Sequence, residues 1–208
     1  MQPLSLSATE VWSVLALTLG LSLYTSSAEV KYIERNPALG AYQDESRQYP
    51  IQGTWYMLYR NYKTDPIFGG TAKCVRFSQT GVGSNGENLV LFEFDNGSVN
   101  LNSTLRSSPG YSTKNIVNVQ PLGQTDFAEM ITSFVDPLEC DVLRIPSISE
   151  NACVLIVPES RVGNPPACCE FIFDLLCGTT PKYEIYDERC SGKYLGSRSV
   201  FRIREDFT

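Results

Sequence analysis

Between Gly53 and Pro158 the chain is a succession of short apolar runs, rich in β-branched and aromatic residues and broken by turn signals about every ten residues. Strands are expected near Gly53–Lys63, Ala72–Thr80, Asn88–Asp95, Ser98–Arg106, Thr113–Pro121, Asp126–Val135, Cys140–Ile145 and Cys153–Pro158. Asp95-Asn96-Gly97 has the residue types of a hairpin turn. Eight short strands with little helix between them indicate an antiparallel sandwich or an up-and-down barrel.

Outside these runs the signals are fewer. Glu34–Tyr49 is polar and mixed, with Pro37 and Gly40, and is expected to form a short helix or turns leading into the strands. Pro165-Pro166 opens and Gly178 closes an apolar segment with Glu170 in its first turn, the pattern of a helix. Its apolar residues are too dense for periodicity alone to tell helix from strand. A last extended segment, Lys182–Asp187, runs toward Cys190. Gly81-Val82-Gly83-Ser84-Asn85-Gly86 matches a dinucleotide-binding pattern by letter. That chemistry needs a helix next, whose N-terminus holds the pyrophosphate. Asn88–Phe94 reads as a strand, so the glycines are expected in a hairpin loop.

The N-terminus sets the compartment. Val11–Tyr24 is an apolar run followed by Thr25-Ser26-Ser27-Ala28, which reads as a secretory signal peptide over residues 1–28, cut after Ala28. No later stretch approaches the roughly 20 apolar residues of a membrane span. The 180 residues left, 29–208, fall in the range of one domain. The leader holds Glu10 and no base, so the formal charge moves from -6 to -5, with no basic patch to suggest nucleic acid. Lys193, Arg198, Arg202 and Arg204 are balanced by Glu205 and Asp206 and read as a solvated face. Seven cysteines, Cys74, Cys140, Cys153, Cys168, Cys169, Cys177 and Cys190, imply a disulfide framework with at least one thiol left over. Asn96-Gly97-Ser98 and Asn102-Ser103-Thr104 are glycosylation sequons.

Histidine is absent from the whole chain. That removes Ser-His-Asp and Cys-His catalysis, the commonest general base near neutral pH, and imidazole-ligated zinc. No motif proposes a catalytic carboxylate pair or a cofactor. The expectation is a binding protein and not an enzyme.

Two stretches carry a family likeness. Gly53-Thr54-Trp55 continues through Tyr62-Lys63-Thr64-Asp65-Pro66-Ile67-Phe68-Gly69 toward Cys74, and Cys140-Asp141-Val142 opens a later strand. In both, and in the spacing of Cys74, Cys140, Cys169 and Cys190, the chain resembles the histamine-binding lipocalins of tick saliva. In Gly-x-Trp, tryptophan is expected to close the barrel floor and glycine to let the chain pass close by. The resemblance implies an all-β fold: an eight-stranded antiparallel up-and-down barrel, with a short N-terminal helix and a C-terminal helix packed outside. It further implies the bridges Cys74–Cys190 and Cys140–Cys169. Cys153–Cys177 is the third bridge we expect, leaving Cys168 odd.

The resemblance also implies a ligand site. It puts Tyr62, Asp65 and Phe68 beside an amine, with Phe68 where the family has tryptophan. Phe127, Glu129 and Asp141 follow on barrel strands, Glu129 standing for an aspartate. Each has an ordinary alternative: Asp65 a turn, the aromatic rings plain core, Asp141 a strand end, and Glu129, which alternates with Phe127 and Ile131, either inward or turned to solvent. Three family positions differ. Val154 and Ile156 replace a glutamate and a tryptophan, and Pro50 replaces an acidic residue upstream of the first strand. A more apolar lumen is implied. The expected ligand is a biogenic amine or a lipid mediator, held in the barrel of a secreted salivary monomer. The alternative is a host protein bound by the outer loops.

Overall fold

The computed structural model describes residues 32–190; the expected signal peptide and the basic residues from Lys193 to Arg204 lie outside them. Everything below belongs to the compact unit that begins at Glu34. Its strands are β1 (Trp55–Arg60), β2 (Arg76–Val82), β3 (Asn88–Phe94), β4 (Gly97–Arg106), β5 (Ile116–Pro121), β6 (Ala128–Asp136), β7 (Cys140–Arg144), β8 (Cys153–Pro158) and the short β9 (Tyr183–Glu184). Each of β2 to β7 pairs antiparallel with the next, and β1 closes the ring by pairing with both β8 and β2. The result is the expected barrel rather than a sandwich. Only Trp55 and Tyr56 of β1 pair with β2; farther along, β9 takes over at Tyr59 and Arg60.

Side-chain alternation sets which residues face the lumen. On β6, Ala128, Met130 and Thr132 are buried while Glu129 and Ile131 are half-exposed. On β1, β7 and β8 nearly every residue is buried, because both faces are covered. Their outer residues Leu58, Tyr59, Val142, Leu155 and Val157 pack under helix α1 (Ala167–Cys177) around Phe173, whose ring meets Tyr59 edge-on at 4.8 Å. A strand covered twice has no polar face, which is why these runs read as continuously apolar.

Helix α1 starts after Pro166 and stops at Gly178, whose φ of +87° ends the helical run while its N–H reaches Asp174 O. The disulfides Cys140–Cys169 and Cys153–Cys177 staple its two ends to β7 and β8, and Cys74–Cys190 joins the chain before β2 to the segment after β9. All three expected pairs are present. The remaining thiol, Cys168, is exposed, with its Sγ 4.0 Å from that of Cys169.

The lead-in forms two 3-10 turns, Pro37–Tyr42 and Glu45–Arg47, capped by Asn36 and Asp44, where a short helix or turns were expected. The Glu45 amide bonds to Lys114 O in the β4–β5 loop, so the second turn crosses the end of the barrel at which β1 begins. Gly53 has φ +67° and open space where a Cβ would stand, so its glycine serves backbone conformation and not close passage. Trp55 is buried, as a floor residue should be, and its indole N–H donates to Gln52 O. The Gly81–Gly86 stretch is the end of β2 and the turn into β3, a hairpin as read.

Candidate functional site

The lumen holds a cavity of about 40 Å³, room for roughly three water molecules. Most of its wall is apolar: Met57, Phe77, Phe92, Met130, Val154 and Ile156 are among the residues around it. Phe68, Phe92 and Phe77 form a continuous stack, with centroids 4.5 and 4.8 Å apart and planes 19° and 15° from parallel. Val154 and Ile156 therefore do face inward, and the wall there is as apolar as the substitution of Glu and Trp implied.

The polar part of the wall is Glu45, Gln48, Tyr49, Ser103 and Asp141. Among the described residues, no lysine or arginine lines the cavity. Glu45 comes from the lead-in turn and Asp141 from β7, and both are buried, at 1% and 2% exposed. The Thr132 hydroxyl donates to Glu45 Oε1 at 2.6 Å, and Tyr49 and Ser103 share a hydrogen bond of 2.7 Å. Two groups are left over. Asp141 Oδ1 and both ends of the Gln48 amide have no hydrogen-bond partner among the described residues. Buried polar atoms are nearly always paired, so orphans facing a cavity mark where a ligand or water binds.

The two carboxyls interact with each other, and among the described residues no cation lines the cavity to compensate them. Burial pushes Glu45 up from its ordinary 4.5 to about 7, and the neighbouring Asp44 charge adds to the rise; hydrogen bonds from Thr132 and with Asp141 pull the other way. Asp141 is pushed well above the carboxylate range by burial first and by the Glu45 charge second. Two acids in one dry site cannot both ionise cheaply, so the pair holds a proton near neutral pH.

Of the residues implied by the family likeness, Phe68 and Asp141 line the cavity. Tyr62 and Asp65 lie in a network beside it. Asp65 Oδ1 accepts from the amides of Ile67 and Phe68 at 2.9 Å each, Oδ2 accepts from the Tyr62 hydroxyl at 2.8 Å, and the buried Arg60 guanidinium is 3.5 Å away. Asp65 thus holds the turn that presents Phe68 to the lumen. Phe127 and Glu129 correct the placement at the ligand site that the resemblance implied, since neither lines the cavity. Phe127 is 61% exposed in the β5–β6 loop, and Glu129 is on the outer face, ion-paired with Arg106 at 2.6 Å. The reason is strand parity: Ala128 and Met130 take the inward positions, and Glu129 opposes Asn118 on the outside. Asn96 is exposed in the β3–β4 turn, and Asn102 alternates with the buried Leu101 and Ser103, so it too faces outward.

Glu45 and Gln48 escaped the sequence reading. The residue type that the likeness sought at Pro50 is supplied five positions earlier, by a turn that reaches under the barrel. Its only sequence signal is the Asp44 cap before Glu45-Ser46-Arg47, which says nothing of burial. Among the described residues no three His, Cys, Asp or Glu side chains gather as a metal site would require.

A closed eight-stranded up-and-down barrel, with a helix outside and an acidic, aromatic-lined lumen, is a lipocalin-like architecture. The family model described as tick histamine binding protein matches residues 33–192. The chain belongs to that family. No curated protein sequence gives a significant match. Among solved structures, the AM182 serotonin complex is 17% identical over 70% of this chain and 90% of that one, with a TM-score of 0.49. Lobster apocrustacyanin A1 is 16% identical over 63% and 76%, with a TM-score of 0.40. Apocrustacyanin C1 is 15% identical over 69% and 84%, with a TM-score of 0.42.

Proposed function

We propose that this protein is a secreted salivary scavenger that captures a small host amine, such as histamine or serotonin, inside its barrel and so suppresses host defence during blood feeding. The observation that carries this reading is the sign of the lumen. Its carboxyl lining is Glu45 and Asp141, and among the described residues no lysine or arginine is there to hold an anion. A fatty-acid carboxylate would be buried beside two acids, an arrangement that desolvation makes costly. An ammonium group would instead be paired, and the ring faces of Phe68 and Phe92 would attract it with water excluded. Membership of the histamine-binding family supports the same ligand class. Secretion is supported by the leader sequence and by three disulfides, which suit an oxidising compartment.

Capture is stoichiometric, so affinity and abundance matter and turnover does not. A small amine needs more room than about 40 Å³. Met57 and Met130, unbranched and flexible, are the wall residues best able to give way.

The same small volume favours a second reading, in which outer loops bind a host protein and the lumen is incidental. The β5–β6 loop, with Leu122 and Phe127 more than half exposed, would then carry contacts. Native mass spectrometry against a mixed panel of histamine, serotonin, leukotrienes and arachidonate separates these readings. A one-to-one amine adduct is expected. A lipid adduct refutes the acidic-lumen argument, and no adduct at all transfers the case to the protein partner.

A further inference from the structure

We propose that Glu45 and Asp141 form a proton-exchange site, in which a carboxyl proton held between them in the free protein leaves as the ammonium group of a monocationic amine arrives. This rests on the amine reading above and adds to it a pH-dependent capture and a limit of one positive charge at this carboxyl pair.

The geometry supplies the parts. Glu45 and Asp141 come from separate elements, meet in one cavity, and are both almost completely buried. Thr132 on β6 fixes one Glu45 oxygen by hydrogen bond. Asp141 Oδ1 and the Gln48 amide remain unpartnered among the described residues, and they offer an ammonium two acceptors besides the Glu45 carboxylate. The surrounding charges do not offset the pair. On Glu45's own turn, Asp44 caps Ser46 and adds negative charge, while Arg47 is exposed and donates to Ala41 O. On β7, Arg144 alternates to the outside and pairs with Glu34. On β6, Glu129 lies outside with Arg106. From the lead-in, Tyr49 contributes a phenol that burial and Glu45 keep protonated.

The exchange balances. In the free protein below about pH 7 both carboxyls of the pair are protonated and the pair is uncharged; above that pH the pair keeps one proton and carries one negative charge. The incoming R-NH3+ needs a carboxylate, so a carboxyl O–H gives its proton to solvent and the ammonium takes its place. No bond to carbon forms or breaks. Below the pH at which Glu45 ionises, each further proton competes with ligand, so the dissociation constant should rise about tenfold per pH unit. Burial places that pH near 7. A dication would demand ionisation of Asp141 as well, which the Glu45 charge opposes, so a diamine should bind more weakly than a monoamine of similar size.

The test uses the full mature protein and serotonin, whose ammonium does not titrate across the range. Calorimetry in two buffers of different ionisation enthalpy, from about pH 5.5 to about pH 8.5, reads affinity and proton release together. Infrared spectroscopy of the protein alone reads the carboxyl proton. The expected result is a protonated-carboxyl band near neutrality that serotonin removes, up to one proton released per serotonin below pH 7, and affinity that falls about tenfold per pH unit in acid. Thr132→Val, which deletes a bond that favours ionised Glu45, should move the midpoint to higher pH without unfolding the barrel. Serotonin binding with no proton release and no pH dependence overturns the exchange and leaves amine capture standing. No carboxyl band near neutrality overturns it whatever binds. Absence of serotonin binding across the range, with the panel also empty of amines, removes both.

Discussion

A buried acid with no counter-charge should destabilise the fold as pH rises, and Glu45→Gln tests that directly. Glu45 is raised from 4.5 to about 7, chiefly by burial. Between those values the unfolded chain has released its proton and the folded chain has not. Protons are then bound preferentially by the folded state, so stability is full below about pH 4.5 and is lost as pH rises through about 7. At roughly 1.4 kcal/mol for each pH unit of that window, the loss is about 3 kcal/mol. Glutamine keeps the size and can still accept from Thr132 while carrying no charge, and it also relieves Asp141 of the Glu45 field. The variant should therefore match or trail the parent near pH 4.5 and exceed it by about 3 kcal/mol near pH 8. In a domain of this size that is roughly 6–12 °C in Tm. Thermal and urea unfolding of both proteins across that range would measure it. A parent–variant difference that stays constant with pH would refute the claim that Glu45 is buried and protonated.

Three further outcomes follow from the same contacts. Glu34→Gln strips the partner from Arg144, which is 1% exposed and also donates to Glu150 O and Leu176 O; breaking a buried pair should cost about 3–5 kcal/mol in urea unfolding. Glu129→Gln, with Phe127→Ala, should leave amine affinity unchanged in calorimetry and shift stability by less than about 1 kcal/mol, because the Arg106 pair is exposed. Replacing Cys74 and Cys190 together by serine opens a loop spanning 116 residues and should lower stability by about 2–5 kcal/mol in denaturant titration.

Most of the barrel was legible because strand-forming runs and turn residues are local signals. The eight expected strands all form, and their ends move by only a few residues; the Ala72–Thr80 run, for instance, begins pairing at Arg76. Helix α1 was bounded by Pro166 and Gly178, again a local matter. The site was less legible, for two physical reasons. Inward or outward orientation depends on register, and one position of shift moves a side chain across the sheet; the sequence left both faces open for Glu129, and its place opposite Asn118 is outside. Glu45 enters the lumen through a turn held by contacts far along the chain, to Lys114 and Thr132, which no nearby residue announces. Asp65 illustrates a third case. It was expected beside the ligand, and its carboxylate is instead occupied by Tyr62, Arg60 and two backbone amides, so it supports Phe68 rather than facing the cavity.

The central claim is that the acidic floor of the barrel holds an amine, and a crystal structure of the mature protein grown with serotonin tests it most directly. The account predicts one serotonin in the lumen, its ammonium within hydrogen-bond distance of Glu45 and Asp141, its ring against Phe68 or Phe92, and Met57 or Met130 moved aside. A lumen still closed around its own side chains, or an amine bound at Asp65 or outside the barrel with Glu45 and Asp141 untouched, would contradict it.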